Sequence, residues 1–129
     1  MLFVKKSTLP QAGKGLFTTR TLRKGQQIIE YKGRLCKWKD VKHTDGHNGY
    51  LLRVTHRMAI DAQRTRAKGR YANDAGGSSR KKGLLNNAEY VSYGTRCFIE
   101  ATRTIKAGEE ILVGYGRAYW ALQRSLKKL

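Results

Sequence analysis

Apolar residues in this chain occur in short runs, and glycine or another turn-forming residue interrupts the sequence between them. Such runs favour β-strands, because an amphipathic helix needs a longer stretch in which apolar residues recur at helical spacing. The chain is therefore expected to be mainly β. The predicted strands lie at residues 2–5, 15–18, 27–31, 50–54, 58–61, 89–93, 96–101 and 110–112.

Helical periodicity is convincing only over the tail, residues 117–129, and it predicts a helix at residues 117–128. The apolar residues that recur there at helical spacing are Tyr119, Leu122, Leu126 and Leu129. Residues 37–49 are polar and predict an exposed insertion, and residues 76–84 have the composition of a flexible loop. Strand-like runs continue on both sides of that loop, so residues 1–129 are expected to form one domain.

The charge balance is extreme, with 27 Lys and Arg against 9 Asp and Glu and a formal net charge of +18. A field this positive attracts phosphate groups and acidic proteins. A solvated surface that keeps a small protein soluble is the alternative explanation. Contact with nucleic acid or acidic protein is favoured over it, although charge alone does not select between those two partners.

The cysteines, Cys36 and Cys97, are far apart in sequence, and neither belongs to a CxxC pair. A cysteine-based zinc cluster is therefore excluded, and a reducing, intracellular setting is the simplest interpretation, with a disulfide as the alternative. The sequence has no apolar run of about 18 residues and no signal-peptide pattern. No contact with a membrane is expected.

One group of residues has the ligand types of a metal site. His43 and His47 are four residues apart, with Asp40 and Asp45 nearby, so on a helix both histidines would share a face. Glycines at this point break the helix, and a third ligand is not evident. A polar surface loop is the favoured interpretation, and no metal is predicted.

Two glycine-containing segments are candidate ligand loops. GRYANDAGG, residues 69–77, predicts a turn, because Asn and Asp hydrogen-bond their own backbone and Gly permits positive φ. Gly13-Lys14-Gly15 would let backbone amides approach a ligand closely, although it matches neither the P-loop nor the dinucleotide fingerprint. Each segment taken alone is also explained as an ordinary connection.

Several aromatic residues are candidates for a binding channel. Tyr115, Tyr119 and Trp120 lie close together after a predicted strand, and Tyr50 precedes another. Clustered tyrosines are usually core or interface residues. They can also line a narrow channel for an alkylammonium side chain, through cation–π contacts and apolar walls.

The order of these segments along the chain is more specific than any one of them. AGKGLF is followed by GQQIIEYKGR, AIDA, GRYANDA, NNAEY and GEEILVGYG, with YW close behind. This series resembles the SET-domain protein lysine methyltransferases, whose corresponding segments look like GxGLF, IxEYxGE, IDAxxxGNxARFxNHSxxPN and GEELxxxYG. The resemblance runs from Val4 to Trp120, nearly the whole chain.

The resemblance implies a fold, a cofactor and a set of site residues. The fold would be the SET-domain β-clip of short strands in small sheets, with a C-terminal pseudoknot and a C-terminal helix. S-adenosyl-L-methionine would be the cofactor. Its implied contacts are Lys14, Gly15, Leu16, Tyr31, Arg70, Asn73, Asp74, Tyr115 and Trp120. Tyr115 is implied as the catalytic tyrosine, with Tyr50 and Tyr119 lining the lysine channel.

The chain departs from the family pattern at the predicted knot. Asp74 stands where the family usually has His, and Ala75 stands where it has Ser. Backbone contacts to adenine need no particular side chain, so cofactor binding is expected to survive. The second asparagine of the family pattern corresponds to Asn87, which a longer loop displaces in sequence.

The function implied by the resemblance is protein lysine N-methylation, acting on a histone or another basic, nucleic-acid-associated protein. The alternative is a non-catalytic chromatin- or nucleic-acid-binding module on a SET scaffold, and a basic RNA-binding β-barrel ranks last. Localisation would be intracellular, and nuclear in a eukaryotic setting. With no cysteine-rich zinc segments, a homodimer is one way for the chain to complete its surface.

Overall fold

The structure is a computed structural model that describes residues 1–44, 49–76 and 81–115. Its strands, in chain order, are β1 (Leu2–Lys6), β2 (Lys14–Thr18), β3 (Gln27–Glu30), β4 (Arg34–Lys37), β5 (Leu51–Arg53), β6 (Met58–Asp61), β7 (Ala88–Tyr93), β8 (Arg96–Ala101) and β9 (Glu110–Ile111). A short helix, α1, spans Trp38–Val41, and single 3₁₀ turns span Lys42–Thr44 and Lys68–Tyr71.

Within the described residues, these strands form antiparallel sheets of three strands each, in the orders β1-β2-β9, β3-β8-β7 and β4-β6-β5. The prediction of a mainly β chain with small sheets is confirmed. The main core joins the first two sheets, because side chains from β2, β8 and β9 pack together there. Its completely buried members include Leu16, Ile99, Ile105, Ile111 and Val113.

Each predicted strand has a counterpart in the structure, but β4 was not predicted. Its apolar residues are only Leu35 and Cys36, a pair too short to predict a strand, and of the two only Cys36 is buried. The predicted insertion at residues 37–49 is in part the helix α1 and a 3₁₀ turn, neither of which buries a residue. Residues 45–48 and 77–80 of the two predicted loops, and the helix predicted at 117–128, lie outside the described residues.

The segment that contains β9 passes between two earlier parts of the chain. On one side the Val113 amide donates to the Asn73 carbonyl at 2.8 Å, and on the other the Ala88 amide donates to the Leu112 carbonyl at 3.0 Å. Both bridges are parallel, as isolated pairs rather than extended ladders. This is the arrangement expected for the pseudoknot.

Asn87 holds this crossing together with its side chain. Its amide nitrogen donates to the Glu110 carbonyl at 2.9 Å, and its amide oxygen accepts from the Leu112 amide at 2.8 Å. The residue is 1% exposed, so both of its bonds are shielded from water. The amide oxygen and nitrogen of the buried Asn87 side chain are thus both hydrogen-bonded to the backbone of the β9 segment. These two bonds take the place of the strand-to-strand backbone bonds that a longer ladder would supply here.

The structure also bears on whether the cysteines form a disulfide and whether a helix could span a membrane. Cys36 and Cys97 are both buried free thiols, so the disulfide alternative is wrong. Among the residues described, no helix has the length and apolar character needed to cross a bilayer.

Candidate functional site

A cleft of about 440 Å³ opens beside the crossing of the chain. It collects residues that are far apart in sequence, and it includes Lys14, Tyr50, Arg70, Asn73 and Tyr115 of the predicted site. Its other lining residues are Ala12, Gly13, Gly49 and Tyr71. A cleft of this size fits a ligand of nucleoside dimensions.

Local sequence explains how the walls of the cleft form. Gly13 has a φ of +70°, which a side chain would disfavour, and it turns the chain into β2, where Lys14 is the first residue. The opposite wall begins with the 3₁₀ turn Lys68–Tyr71 and continues into Asn73. The Asn73 side chain joins the walls, because its Nδ2 donates to the Lys14 carbonyl at 2.9 Å.

Glu110 supports this wall from beneath, and it was not predicted as a site residue. Its carboxylate is buried and accepts from Ser7 Oγ at 2.7 Å, from the Thr8 amide at 2.8 Å and from Thr8 Oγ1 at 2.6 Å. A longer bond of 3.4 Å comes from Asn73 Nδ2. One carboxylate thus fixes both the loop before β2 and the side chain that spans the cleft.

Gly15 is a glycine because Glu110 occupies the space above it. A Cβ at Gly15 would overlap Oε2 of Glu110, lie 2.9 Å from its Cδ and lie 3.3 Å from the Ser7 Cα. Packing therefore explains this glycine, and its contact with the cofactor stays a prediction. Leu16 is completely buried in the main core and does not line the cleft.

Replacing Gly15 with alanine is expected to destabilise the fold by about 2–3 kcal/mol, as overpacking of a filled interior does. The cost is high because Glu110, held by several hydrogen bonds, cannot move without breaking them. Denaturant unfolding measures the change. Gly114→Ala is the matched control, because its Cβ would meet only Asn86 Nδ2, at 3.5 Å. Equal effects of the two changes would contradict the explanation.

Arg70 is fixed between two aromatic rings at the edge of the cleft. Its Cζ lies 4.6 Å from the ring centroid of Tyr50 and 5.0 Å from that of Tyr71. Its Nη1 donates to the carbonyl of Gln63 at 2.6 Å, while its buried Nε has no hydrogen-bond partner among the described residues. The guanidinium is therefore held at the edge of the cleft by its stacked rings and by its Nη1 bond, while its Nε is shielded from solvent.

A second, narrow cavity of about 40 Å³ adjoins this region. It is lined by Tyr31, Gly49, Leu51, Leu52, Tyr90 and Tyr115. The Tyr31 and Tyr90 rings meet edge to face at 5.5 Å between centroids, and the Tyr90 and Tyr115 rings stack at 6.2 Å. Tyr90 was not predicted, and Tyr31, predicted at the cofactor, lines this cavity rather than the cleft. Tyr50, predicted in the channel, lines the cleft.

Burial keeps two of these tyrosines, Tyr31 and Tyr90, protonated. It raises the pKa of Tyr31 and raises that of Tyr90 well above the usual value. The hydroxyl of Tyr31 also donates to the Tyr50 carbonyl at 2.9 Å, as only a protonated phenol can do. The cavity therefore has neutral aromatic walls and offers neither of these phenols as a base near neutral pH.

The raised pKa of Tyr90 predicts a loss of stability in alkali. The folded protein keeps this phenol proton at pH values where the unfolded chain has lost it, so its stabilising contribution is complete below about pH 10 and falls above it. The fall is up to about 1.4 kcal/mol per pH unit for one group. Tyr90→Phe should show a shallower fall in denaturant unfolding between neutral pH and alkali. Identical slopes for the variant and the unmodified chain would refute the assignment.

Tyr115 belongs to both cavities and is held at both of its ends. Its hydroxyl donates to the Ala72 carbonyl at 2.6 Å, and its backbone amide donates to Asp74 Oδ2 at 2.8 Å. Asp74 Oδ1 accepts from the Gly76 amide at 2.7 Å and from Asn86 Nδ2 at 2.8 Å. The Asp74 carboxylate therefore faces into the crossing, where it fixes the residue shared by the two cavities.

Two predicted site residues, Tyr119 and Trp120, lie outside the described residues. His47 and Asp45 of the candidate metal group also lie outside them. Among the residues described, no cluster of three or more His, Cys, Asp or Glu side chains could hold a metal.

Two residues of the site, Glu110 and Tyr90, were not predicted, although the sequence contains a signal for each. For Glu110 the signal is the acidic pair Glu109-Glu110 in a basic chain, and for Tyr90 it is the position in the NNAEY segment.

Comparison with known proteins agrees with this geometry. The family model described as the SET domain matches residues 13–116. The histone-lysine N-methyltransferase EZH2 of Chaetomium thermophilum is 29% identical over 133 residues, which cover 94% of this chain and 8% of that protein. The N-lysine methyltransferase KMT5A of Xenopus tropicalis is 28% identical over 126 residues, which cover 88% of this chain and 36% of that protein.

Among solved structures, an active polycomb repressive complex 2 in the basal state matches with a TM-score of 0.74 and 28% identity, over 90% of this chain and 15% of that one. The chain spans less than half the length of the curated relatives it matches. The matched residues cover both walls of the cleft and the crossing of the chain. The chain belongs to the SET-domain family.

Proposed function

We propose that this chain is an S-adenosylmethionine-dependent protein-lysine N-methyltransferase, and that it acts inside the cell on a histone or another basic, nucleic-acid-associated protein. One observation carries the proposal. A cleft of about 440 Å³ and a narrow tyrosine-walled cavity of about 40 Å³ meet at Tyr115. Methyl transfer between a nucleoside cofactor and an extended lysine side chain needs two such spaces, of different width, that share one wall.

The residues of the cleft fit the cofactor. Aromatic walls from Tyr50 and Tyr71 suit an apolar or planar group, and the cations Lys14 and Arg70 suit a carboxylate. When bound, S-adenosylmethionine supplies an electrophilic methyl group on a sulfonium. Binding and orienting it would be the work of Lys14, Arg70 and Asn73.

The narrow cavity would prepare the lysine. A lysine ammonium has a pKa of about 10.4 in water, and only the neutral amine is a nucleophile. Desolvation between Tyr31, Tyr90 and Tyr115 disfavours the charged form and lowers that pKa. The neutral phenols still attract an entering ammonium through their ring faces, so the cavity can admit the cation before it loses its proton to water.

Alignment would supply most of the rate enhancement. Holding two reactants in line can contribute about 7–11 kcal/mol, which exceeds what any single hydrogen bond offers. The double anchoring of Tyr115, at its hydroxyl and at its backbone amide, fixes the wall against which the reactants align. C–H···O contacts to its oxygen, at about 0.5–1 kcal/mol each, would refine the geometry.

The direct test is transfer of a labelled methyl group from S-adenosylmethionine to nucleosomes, free histones and whole-cell lysate. We expect label on a discrete protein, and methyllysine after acid hydrolysis. A chain with a net charge of +18 repels a free basic tail and is drawn to nucleosomal DNA, so nucleosomes should be preferred and added salt should reduce the preference. Folded protein that labels no substrate would overturn the proposal.

A non-catalytic nucleic-acid-binding module on the SET scaffold is the second candidate. The net charge of +18 and the replacement of the usual His-Ser by Asp74-Ala75 favour it. Calorimetric titration with S-adenosylmethionine separates the two candidates. Salt-sensitive DNA binding without cofactor binding would support the module, whereas cofactor binding of the folded chain would support the enzyme.

A further inference from the structure

We propose that a groove at one end of the β4-β6-β5 sheet binds single-stranded nucleic acid. The groove has a volume of about 510 Å³. Its lining residues are Lys37, Trp38, Lys39, Arg53, His56, Arg57 and Met58, and we call it the Trp38 groove. None of them lines the cleft or the tyrosine cavity.

The fold brings these residues together from separate segments. Strand register pairs Lys37 of β4 with Met58 of β6, and Arg53 of β5 with Ala59, so the last residues of β4 and β5 flank the start of β6. The Trp38 amide then donates to the Arg57 carbonyl at 2.7 Å, which fixes the start of α1 against the turn between β5 and β6. The groove is thus a built feature of the sheet end.

Arg53 is already positioned in this groove. Its Nη2 donates to the His56 carbonyl at 2.6 Å, and its Cζ lies 4.5 Å from the centroid of the Trp38 ring. A guanidinium held over an aromatic ring loses little further freedom when it meets a ligand, so its contacts cost less ordering entropy. Phosphate oxygens are well-matched acceptors for such a planar donor.

The charge of the groove selects an anionic ligand. Lys37, Lys39, Arg53 and Arg57 are exposed, and no acidic residue lines the space. Within the described ranges, the salt bridges join other residues, Arg96 with Glu30 and Arg103 with Glu109. The four cations of the groove are therefore not neutralised by carboxylates of the described chain.

The apolar floor selects single strands among anionic ligands. Trp38 and Met58 are partly buried and present apolar surface beneath the cationic rim. The Arg53 guanidinium covers one face of the Trp38 ring, so an unstacked base would stack on this layer of Trp38 and Arg53 while its phosphates reach the rim. Single strands commonly stack on aromatic rings and guanidinium planes in this way. A duplex keeps its base faces stacked inside, and an acidic peptide offers carboxylates without flat faces.

Strand β5 connects the cleft with the Trp38 groove. Tyr50, which lines the cleft, precedes β5, and Arg53 ends it. The two residues are separated by about 10 Å at the usual rise of a strand. Nucleic acid in the groove would therefore hold an associated protein near the cleft, although the binding itself does not depend on methyl transfer.

The test is fluorescence anisotropy with labelled oligothymidine and oligouridine, in the absence of cofactor, over a range of salt concentrations. Duplex DNA of the same length and polyglutamate are the competing ligands. We expect the single strands to bind most tightly. Trp38→Ala should weaken their binding about tenfold, and Trp38→Phe should retain most of the affinity, because stacking needs a ring face.

Charge variants test the rim separately. Arg57→Ala and Lys39→Ala should each reduce the slope of log affinity against log salt by about 0.7, the value for one phosphate contact with a single strand. Lys106→Ala, an exposed lysine outside the groove, is the matched control and should leave the slope nearly unchanged. Thermal melting checks that each variant is folded. If Trp38→Ala does not fold, Arg57→Ala still tests the groove, because Arg57 is exposed and its replacement leaves the packing intact.

Three outcomes would overturn the proposal. One is equal binding by folded Trp38→Ala and the unmodified chain. Another is a loss in Lys106→Ala as large as the loss in the groove variants, which would mean diffuse attraction by net charge. The third is tighter binding of duplex DNA or polyglutamate than of either single strand. Because no cofactor is present, a failure here leaves the proposed methyl transfer untouched.

Discussion

Replacing Tyr115 with phenylalanine is expected to lower the rate of methyl transfer at least about a hundredfold, the order of loss that follows a small misplacement of reacting groups. The hydroxyl of Tyr115 is fixed by a 2.6 Å bond to the Ala72 carbonyl. It belongs to the one residue whose aromatic side chain lines both described cavities of the site. Its removal takes away an oriented oxygen and leaves the Ala72 carbonyl without this donor.

The slower methyl transfer of Tyr115→Phe should come from a lower kcat, and the affinity for the cofactor should be unchanged. Phenylalanine keeps the ring that stacks on Tyr90, and the amide bond to Asp74 does not involve the side chain. Calorimetric titration should therefore give nearly the same affinity for S-adenosylmethionine, while single-turnover transfer becomes slow. Loss of both binding and transfer would instead point to collapse of the cleft.

The matched control is Tyr93→Phe. Tyr93 is 54% exposed, and its hydroxyl donates to Glu100, so the change also deletes one tyrosine hydroxyl with a polar partner. The residue lines neither cavity of the site. Transfer should be nearly unchanged. Equal transfer by the Tyr115 and Tyr93 variants would remove Tyr115 from the catalytic role that the resemblance implies.

Strands were predictable where they bury an apolar run, and β4 shows the limit. The core strand β8 alternates buried residues with less buried ones along its length, a pattern that the sequence displays directly. Strand β4 buries Cys36 alone and owes its place to pairing with β6. Pairing with a distant strand leaves no mark in four residues of local sequence, so tertiary context decided this element.

The ordered motifs brought the right segments to the cleft but did not assign each side chain. Asn73 and Lys14 are 59 residues apart, and both line the cleft, where they are in contact. The contact of each with the cofactor, which the resemblance implied, stays a prediction. Leu16 and Tyr31 belong to the same motifs, yet one is buried in the core and the other lines the tyrosine cavity. Alternate residues of a strand face opposite sides, so a motif locates a strand more reliably than it assigns a contact.

Glu110 shows what no local pattern could give. Its carboxylate meets Ser7 and Thr8, which are 103 and 102 residues away in sequence. In a sequence, an acidic residue at the end of a loop is normally solvated. Only the crossing of the chain, which places β9 beside β2 and beneath Asn73, turns this residue into a buried support of the cleft.

Asp74→Ala is expected to destabilise the fold by about 3–4 kcal/mol. Three donors, the amides of Gly76 and Tyr115 and the side chain of Asn86, each lose a carboxylate acceptor in a site where Asp74 is 6% exposed. Hydrogen bonds to charged groups are worth about 1.5–3 kcal/mol each, and partial entry of water offsets some of the sum. Equilibrium denaturant unfolding measures the change.

Asp74→Asn separates the stability of the crossing from the placement of Tyr115. An amide has one acceptor oxygen, and the orientation that keeps the bonds from Gly76 and Asn86 turns its NH₂ toward the Tyr115 amide. Two donors then face each other at the residue shared by both cavities. The variant should lose only about 1–2 kcal/mol of stability, yet its rate of transfer should fall about tenfold or more, since small displacements of a reacting group are costly.

Comparing Asp74→Ala with Asp74→Asn shows which role Asp74 has at the position where the family usually has histidine. A folded Asp74→Asn protein that transfers methyl groups at the unmodified rate would restrict Asp74 to holding the crossing together. A slow but stable variant would make Asp74 a positioning residue that acts through the Tyr115 backbone. In that case the acidic residue at the position of the usual histidine would serve as the acceptor for the Tyr115 amide, and a buried carboxylate accepts such a bond more strongly than a neutral group does.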